Sequence, residues 1–286
     1  MPASPTAYDR VLRIRSRVAY MTCAAFAAVI VAILVLVTGY LVSIGFQSIN
    51  LAFFTENPIP KGAAGYPGGM LNGLAGTGFL ILLASAVGIP IGMLAGVYLA
   101  EYEANSWLAA PVRFIADVLA GVPSIVVGIL GYELLVAPIG HYNGYAGALA
   151  LAFIMIPIVS RTTEEMLRLV PNSYREASVA LGATKARTIL TVVIPSATGS
   201  IVTGIMLAIA RVAGETAPLL FTALGSRFLE TNPMNPFPSL TVQIFTYATG
   251  PYKEQKDLAW AGIIVLIGLI FVLNLMIRFV ARSRHA

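Results

Sequence analysis

The sequence predicts an all-α, polytopic membrane protein with six transmembrane helices. Three observations carry that prediction. The 286 residues are 58% hydrophobic and only 11% charged, with a mean hydropathy of +0.83, which is more apolar surface than one soluble core of this length needs. The apolar residues gather into uncharged runs of about 20 residues or more, the length that crosses the hydrocarbon as a helix. Lys and Arg, finally, collect in alternate connections, as the positive-inside rule requires of cytoplasmic loops.

The elements follow in order. A basic tail, 1–17, precedes span one, 18–46, whose uncharged stretch far exceeds the ~7–15 residues of a signal-peptide core and reads as a retained anchor. The single Cys23 lies inside it, forms no intrachain disulfide, and reads as a small buried apolar residue. Span two, 70–100, opens on GGMLNGLAGTG (68–78). That string lacks the preceding strand and the following Lys-Ser/Thr of a phosphate-cradling loop. Within the span Gly88, Gly92 and Gly96 repeat every four residues, a stripe that lets a neighbouring helix approach closely. Span three covers 113–137, with Glu133 near its end, and a short His-Tyr-Asn-Gly loop leads to span four, 144–161. The connection 162–194 is followed by span five, 195–224, span six, 258–280, and a short tail, 281–286.

With both termini cytoplasmic, 13 basic residues fall inside: Arg10, Arg13, Arg15, Arg17, Arg113, Arg161, Arg168, Arg175, Lys185, Arg187, Arg278, Arg282 and Arg284. Lys61, Arg227, Lys253 and Lys256 fall outside, and Arg211 falls within the membrane. The acidic turn at Glu101 and Glu103 departs from the pattern, but acidic residues weigh little in the rule. The net charge of +5 follows from this topological bias, so no nucleic-acid partner is expected; lipid is.

The connection 162–194 has internal structure. Pro171-Asn172-Ser173 breaks the chain, Ser173-x-x-Glu176 fits a capping box, and Gly182 suits a helix C-terminus. ATKARTIL (183–190) reads as a second helical piece running to Pro195. Ala177, Ala180 and Leu181 give the first helix a smooth face that another protein can approach. On the outer side, 50–69 and 225–257 are long for connections between packed helices; each reads equally as a docking surface or as a lid over the bundle's mouth.

No enzyme constellation appears. His141 and His285 lie far apart, excluding a paired metal site. There is no Gly-x-Ser-x-Gly elbow and no Gly-Lys dipeptide, so this chain has no P-loop for ATP. The chemistry concentrates instead in LAIARVAGETAPLLF (207–221). A charge at the bilayer centre costs on the order of 3 kcal/mol, yet Arg211 and Glu215 stand four residues apart on one predicted helix, about 24 Å beyond Pro195 at ~1.5 Å per residue. One reading is a buried ion pair locking two helices. The other is a substrate path, since Gly214 and Pro218 break the helix where charge sits. Guanidinium suits a tetrahedral oxyanion, and Glu215 then accepts a hydrogen bond from protonated phosphate that ionised sulfate cannot offer.

These residues resemble a known family. EASVALG…VVIP (176–195) is similar to the EAA loop of ABC-importer permeases, with Ser178, Val192 and Ile194 as mild departures. FFTENP (53–58), the 76–102 string, GVPSIVVGIL (121–130) and ARVAGETAPLLFTA (210–223) resemble the PstA-type permease of the phosphate importer, over roughly residues 50–250. The resemblance implies a MetI-like fold in a multi-pass plasma-membrane protein of a prokaryote. It implies a homologous PstC-type permease as partner, two ATPase subunits that carry ATP and Mg while this chain binds no cofactor, and an extracytoplasmic phosphate-binding protein. It makes Glu176, Ala177, Ser178, Ala180, Leu181 and Gly182 the coupling surface, and Arg211, with Glu215 and Thr216, the substrate pathway. The alternatives are an ABC permease for sulfate, molybdate or phosphonate, a gradient-driven secondary transporter, and an intramembrane enzyme.

Overall fold

The computed structural model describes residues 7–58, 68–102 and 107–283. Among them the secondary structure is helical, with only isolated bridges pairing Pro58 with Gly68 and Leu224 with Phe237. Five helices are long and apolar enough to cross a membrane: Val11–Ser48, Leu71–Glu101, Gly144–Arg168, Lys185–Ala213 and Lys253–Leu275. The sixth crossing is a broken one. Helix α1 is Ala7–Gly45, and the short α2, Leu51–Thr55, is capped by the Asn50 side chain. Helix α3 is Leu71–Glu101, α4 Ala109–Gly121, α5 Ser124–Gly131 and α6 Gly144–Arg168.

Span three therefore differs from the straight segment expected over 113–137: α4 and the stretch Ser124–Val136 meet at 105°. Pro123 is the cause. It holds φ at −57° with ψ at 136°, and the proline ring disfavours helical backbone in the residue before it. Hydropathy alone reads through the bend because both arms are apolar.

The centre of the bundle is α3 against α6. Gly88, Gly92 and Gly96 line the contact, as the four-residue stripe predicts. A Cβ at Gly96 would fall 2.6 Å from Thr163 Cβ, and one at Gly92 2.9 Å from Ile156 O, so glycine is what permits this approach. Leu80, Ala84, Leu151, Met155 and Val159 fill the core beside the stripe. Asn143 starts α6 by accepting the Ala146 N–H at 2.8 Å.

Helix α6 runs on to Arg168, past the expected end of span four at 161. Its polar end is held by ion pairs: Glu164 binds Arg113 at 2.7 Å and Arg168 at 3.0 Å, while Arg161 reaches Asp117 at 2.9 Å. The connection beyond it holds α7, Asn172–Ala180, and α8, Lys185–Thr188. The backbone then continues through a π-turn, Ile189–Val193, into α9, Ile194–Ala213. Span five is not continuous to 224; α9 stops at Ala213 and α10, Ala217–Thr222, follows a break. Helix α11, Leu240–Ala248, packs on α3 and on α12, Lys253–Ser283, with Phe237, Leu240 and Val242 buried and the Leu240 N–H bonded to Thr77 Oγ1 at 2.8 Å. This part of 225–257 is thus packed against the bundle; within the 50–69 segment, residues 59–67 lie outside the described residues. Helix α12 overruns the expected boundary at 280, and His285 and Arg284 lie outside the described residues.

Cys23 is exposed rather than buried. Among the described residues, helix α1 leans on α12 near its C-terminal end, where Tyr40 meets Trp260 edge-on with ring centroids 6.3 Å apart. The rest of its apolar surface, including Phe26, Ile30 and Leu34, faces outward, as it does in a helix solvated by lipid.

Candidate functional site

The break after α9 is built by its sequence. Gly214 ends the helix, its N–H bonded to Arg211 O at 3.2 Å, and the Glu215 N–H reaches Val212 O at 3.1 Å. Pro218 sits in the first turn of α10, where a missing N–H costs nothing. Arg211 occupies the last turn of α9, where a cation offsets the partial negative charge of the terminal carbonyls. Glu215 lies in the break, not on the same helix as the spacing implied. Its backbone carbonyl accepts the Thr241 hydroxyl at 2.9 Å, tying the break to α11.

The two side chains form a loose pair, Arg211 Nε to Glu215 Oε1 being 4.0 Å. Their environments differ: Arg211 is 58% exposed and Glu215 14%. Among the described residues the pair is loose and half open, not the locked, buried pair considered from sequence. The guanidinium opens into a groove of about 350 Å³ lined by Leu119, Ala120, Val122, Ser124, Ile154, Ile158 and Leu207. Among the described residues that line it, Arg211 is the one charged side chain. A cation on apolar walls attracts an anion more strongly than it would in open water, because the walls lower the local dielectric. Thr216 caps α10 by position, makes no side-chain capping bond, and does not line the groove. Sequence reasoning missed Ser124 as a lining residue; Pro123 inside an apolar run was the signal that a bend would place it there.

The second candidate surface is α7. Pro171, not Ser173, is its N-cap, and no side-chain bond forms there, so the expected capping box is absent. The helix instead starts two residues earlier, at Asn172. Gly182 takes φ of +85° as expected, a conformation side chains with Cβ avoid. Glu176, Ala177, Ala180 and Gly182 are exposed, and Leu181 is 90% exposed. Ser178 is half-buried, its hydroxyl 2.8 Å from that of Thr188 across the glycine turn. Thr184 starts α8 by accepting the Arg187 N–H at 3.3 Å. A glycine-hinged pair of helices thus presents a small-residue face with one projecting leucine.

Comparison with known proteins places this arrangement. The family model described as binding-protein-dependent transport system inner membrane component matches residues 88–285. The phosphate transport system permease protein PstA of Yersinia pestis is 48% identical over 242 residues, covering 84% of this chain and 81% of that protein. The Haemophilus influenzae protein of the same name is 44% identical, covering 83% of each. A probable PstA of Methanocaldococcus jannaschii is 37% identical, covering 76% of this chain and 77% of that one. Among solved structures, a bacterial ABC transporter involved in alginate import superposes with a TM-score of 0.66 at 12% identity, covering 96% of this chain and 99% of that one. The inward-facing MetNI methionine ABC transporter gives 0.59 at 20% identity, covering 74% and 93%. These two likenesses establish the fold, that of an ABC-importer permease. The chain belongs to the family of binding-protein-dependent transport system inner membrane components, and within it to the PstA-type permeases.

Proposed function

We propose that the chain is the membrane-spanning permease subunit of an ATP-driven inorganic phosphate importer, forming half of the translocation pathway. The observation that carries this reading is Arg211, held at the end of a broken helix and open to an otherwise uncharged groove. The PstA proteins that resemble the chain are named for phosphate transport, and a guanidinium fork matches the oxygens of that anion. Glu215, behind Arg211 and largely buried, accepts a hydrogen bond from a phosphate that still carries a proton. Thr216 stands beside the break at the start of α10, where its backbone carbonyl accepts the Leu220 N–H at 3.1 Å.

A permease of this fold works with a separate ATPase and a substrate-binding component. In our reading a homologous PstC-type permease completes the pathway, two ATPase subunits supply ATP and Mg, and an extracytoplasmic phosphate-binding protein delivers substrate. Helix α7, with Glu176, Ala177, Ser178, Ala180, Leu181 and Gly182, docks on the ATPase. The termini are cytoplasmic, which puts α7 and the Arg113, Arg161 and Arg168 cluster on the same side. ATP binding draws the α7 helices together and turns the groove outward; hydrolysis resets it.

The test is reconstitution with ATPase, partner permease and binding protein in proteoliposomes. Phosphate-stimulated ATP turnover, uptake blocked by vanadate and indifference to collapse of the ion gradient are expected. Uptake that survives vanadate but fails with the gradient overturns the reading in favour of a secondary transporter. Equal competition by sulfate or molybdate overturns the phosphate assignment.

A further inference from the structure

Helix α7 carries one side chain that faces into the protein on many bonds, and it is not among the coupling residues named above. Arg175 donates from Nη2 to Glu101 Oε1 at 2.6 Å and from Nε to the same oxygen at 3.1 Å. Its Nη1 donates to Val170 O at 2.6 Å and its Nη2 to Leu167 O at 2.9 Å. Glu101 is the last residue of α3 and only 6% exposed; Arg175 is 21% exposed. Leu167 lies in the last turn of α6 and Val170 two residues beyond its end at Arg168. One guanidinium therefore fastens α7 to the ends of α3 and α6 together.

A second fastener lies beyond the glycine hinge. The Lys185 ammonium of α8 donates to the Glu101 backbone carbonyl and sits 4.3 Å over the Tyr102 ring, which stacks on Tyr98. Both limbs of the hinged segment thus end on the same residue of α3. Helix α7 itself has no buried residue, so besides Arg175 it is held by its short connections, the Ser178–Thr188 contact and its packing on the Ile189–Val193 turn. From α3 the path inward is rigid, because the glycine stripe presses α3 on α6 and α6 supplies Ile154 and Ile158 to the Arg211 groove.

We propose that the Arg175–Glu101 clasp is the positioning element that carries the ATPase stroke from α7 into α3 and α6. The proposal rests on the reading of α7 as the ATPase-docking helix. Arginine is suited to the task because its planar fork binds carboxylate and carbonyls at once in fixed geometry, which a lysine cannot do. Removing either partner leaves the other as an uncompensated, largely buried charge, so the clasp is expected to fail outright rather than loosen.

The experiment uses the full reconstituted transporter and three variants, Arg175→Gln, Arg175→Lys and Glu101→Gln. Phosphate taken up per ATP hydrolysed is read beside ATPase co-purification. The ATPase is expected to co-purify at wild-type level in all three, while uptake per ATP falls by about tenfold or more in the two Gln variants. The Lys variant falls between them and wild type. Glu101→Gln leaves the bonds from Arg175 to Leu167 and Val170 in place, so it decides the matter alone should Arg175→Gln fail to insert. Uptake per ATP within twofold of wild type in Glu101→Gln overturns the clasp. A cross-linker on Leu181→Cys separates the two levels. No cross-link to the ATPase in an otherwise wild-type chain overturns the docking reading and the clasp with it, whereas a normal cross-link with unchanged uptake per ATP overturns the clasp only.

Discussion

Substituting alanine at two glycines of α3 is expected to shift stability in opposite directions. At Gly92 a Cβ falls 2.8 Å from Val159 Cβ and 2.9 Å from Ile156 O, roughly 0.6 Å or more inside the ~3.5–4.0 Å of comfortable contact. A backbone carbonyl cannot rotate away, so α3 and α6 must separate, and overpacking of this kind costs about 1–3 kcal/mol. At Gly78, two turns from the start of the same helix, nothing lies within 4 Å of the added methyl. Alanine there restricts the unfolded chain at no steric cost and gains about 0.4–1 kcal/mol. With ~2–4 °C of midpoint per kcal/mol for chains near this size, Gly92→Ala should melt about 2–12 °C lower and Gly78→Ala about 1–4 °C higher. Tryptophan fluorescence of the full chain in detergent reads both. Shifts of the same sign in the two variants refute the claim that α3 meets α6 through its glycine stripe.

Three further outcomes follow from the geometry. Leu181→Asp places a charge on the most exposed leucine of the docking face and is expected to cut ATPase co-purification at least tenfold while the permease still inserts; unchanged co-purification moves the docking surface elsewhere. Phe237→Ala empties a site packed on Phe79 and Gly144. It is expected to destabilise the packed part of 225–257 by about 3–5 kcal/mol, seen as faster proteolysis of the outer loop. Glu215→Gln keeps the shape of the break and is expected to raise competition of uptake by sulfate. An active variant with unchanged selectivity leaves Glu215 only the task of neutralising Arg211.

Much of this fold was legible because membrane insertion makes its rules local. The apolar runs marked the crossings, the four-residue glycine period marked the α3–α6 seam, and Gly182 marked the hinge. Gly214 and Pro218 marked the break in span five, although spacing alone wrongly kept Arg211 and Glu215 on one helix. What was missed has a common cause. The bend at Pro123 hides inside a stretch whose hydropathy does not change, and the burial of Cys23 was inferred from residue type when the helix that bears it has few neighbours. The clasp joins residues 74 apart in sequence, so no window along the chain contains it. Glu101 did stand out, in an acidic turn assigned to the side where basic residues collect, but charge counting assigns such a residue no role. Its partner was counted only as one more positive charge.

The central claim is that the Arg211 guanidinium contacts the transported anion, and one measurement addresses it most directly. Phosphate uptake and phosphate-stimulated ATP turnover are compared between wild type and Arg211→Ala in proteoliposomes containing the assembled transporter. A charge-assisted fork to an anion contributes about 1.5–3 kcal/mol, so transport should fall by about 10- to 150-fold while the ATPase still co-purifies. Wild-type uptake by an assembled Arg211→Ala transporter contradicts the claim and leaves the groove without its anion contact.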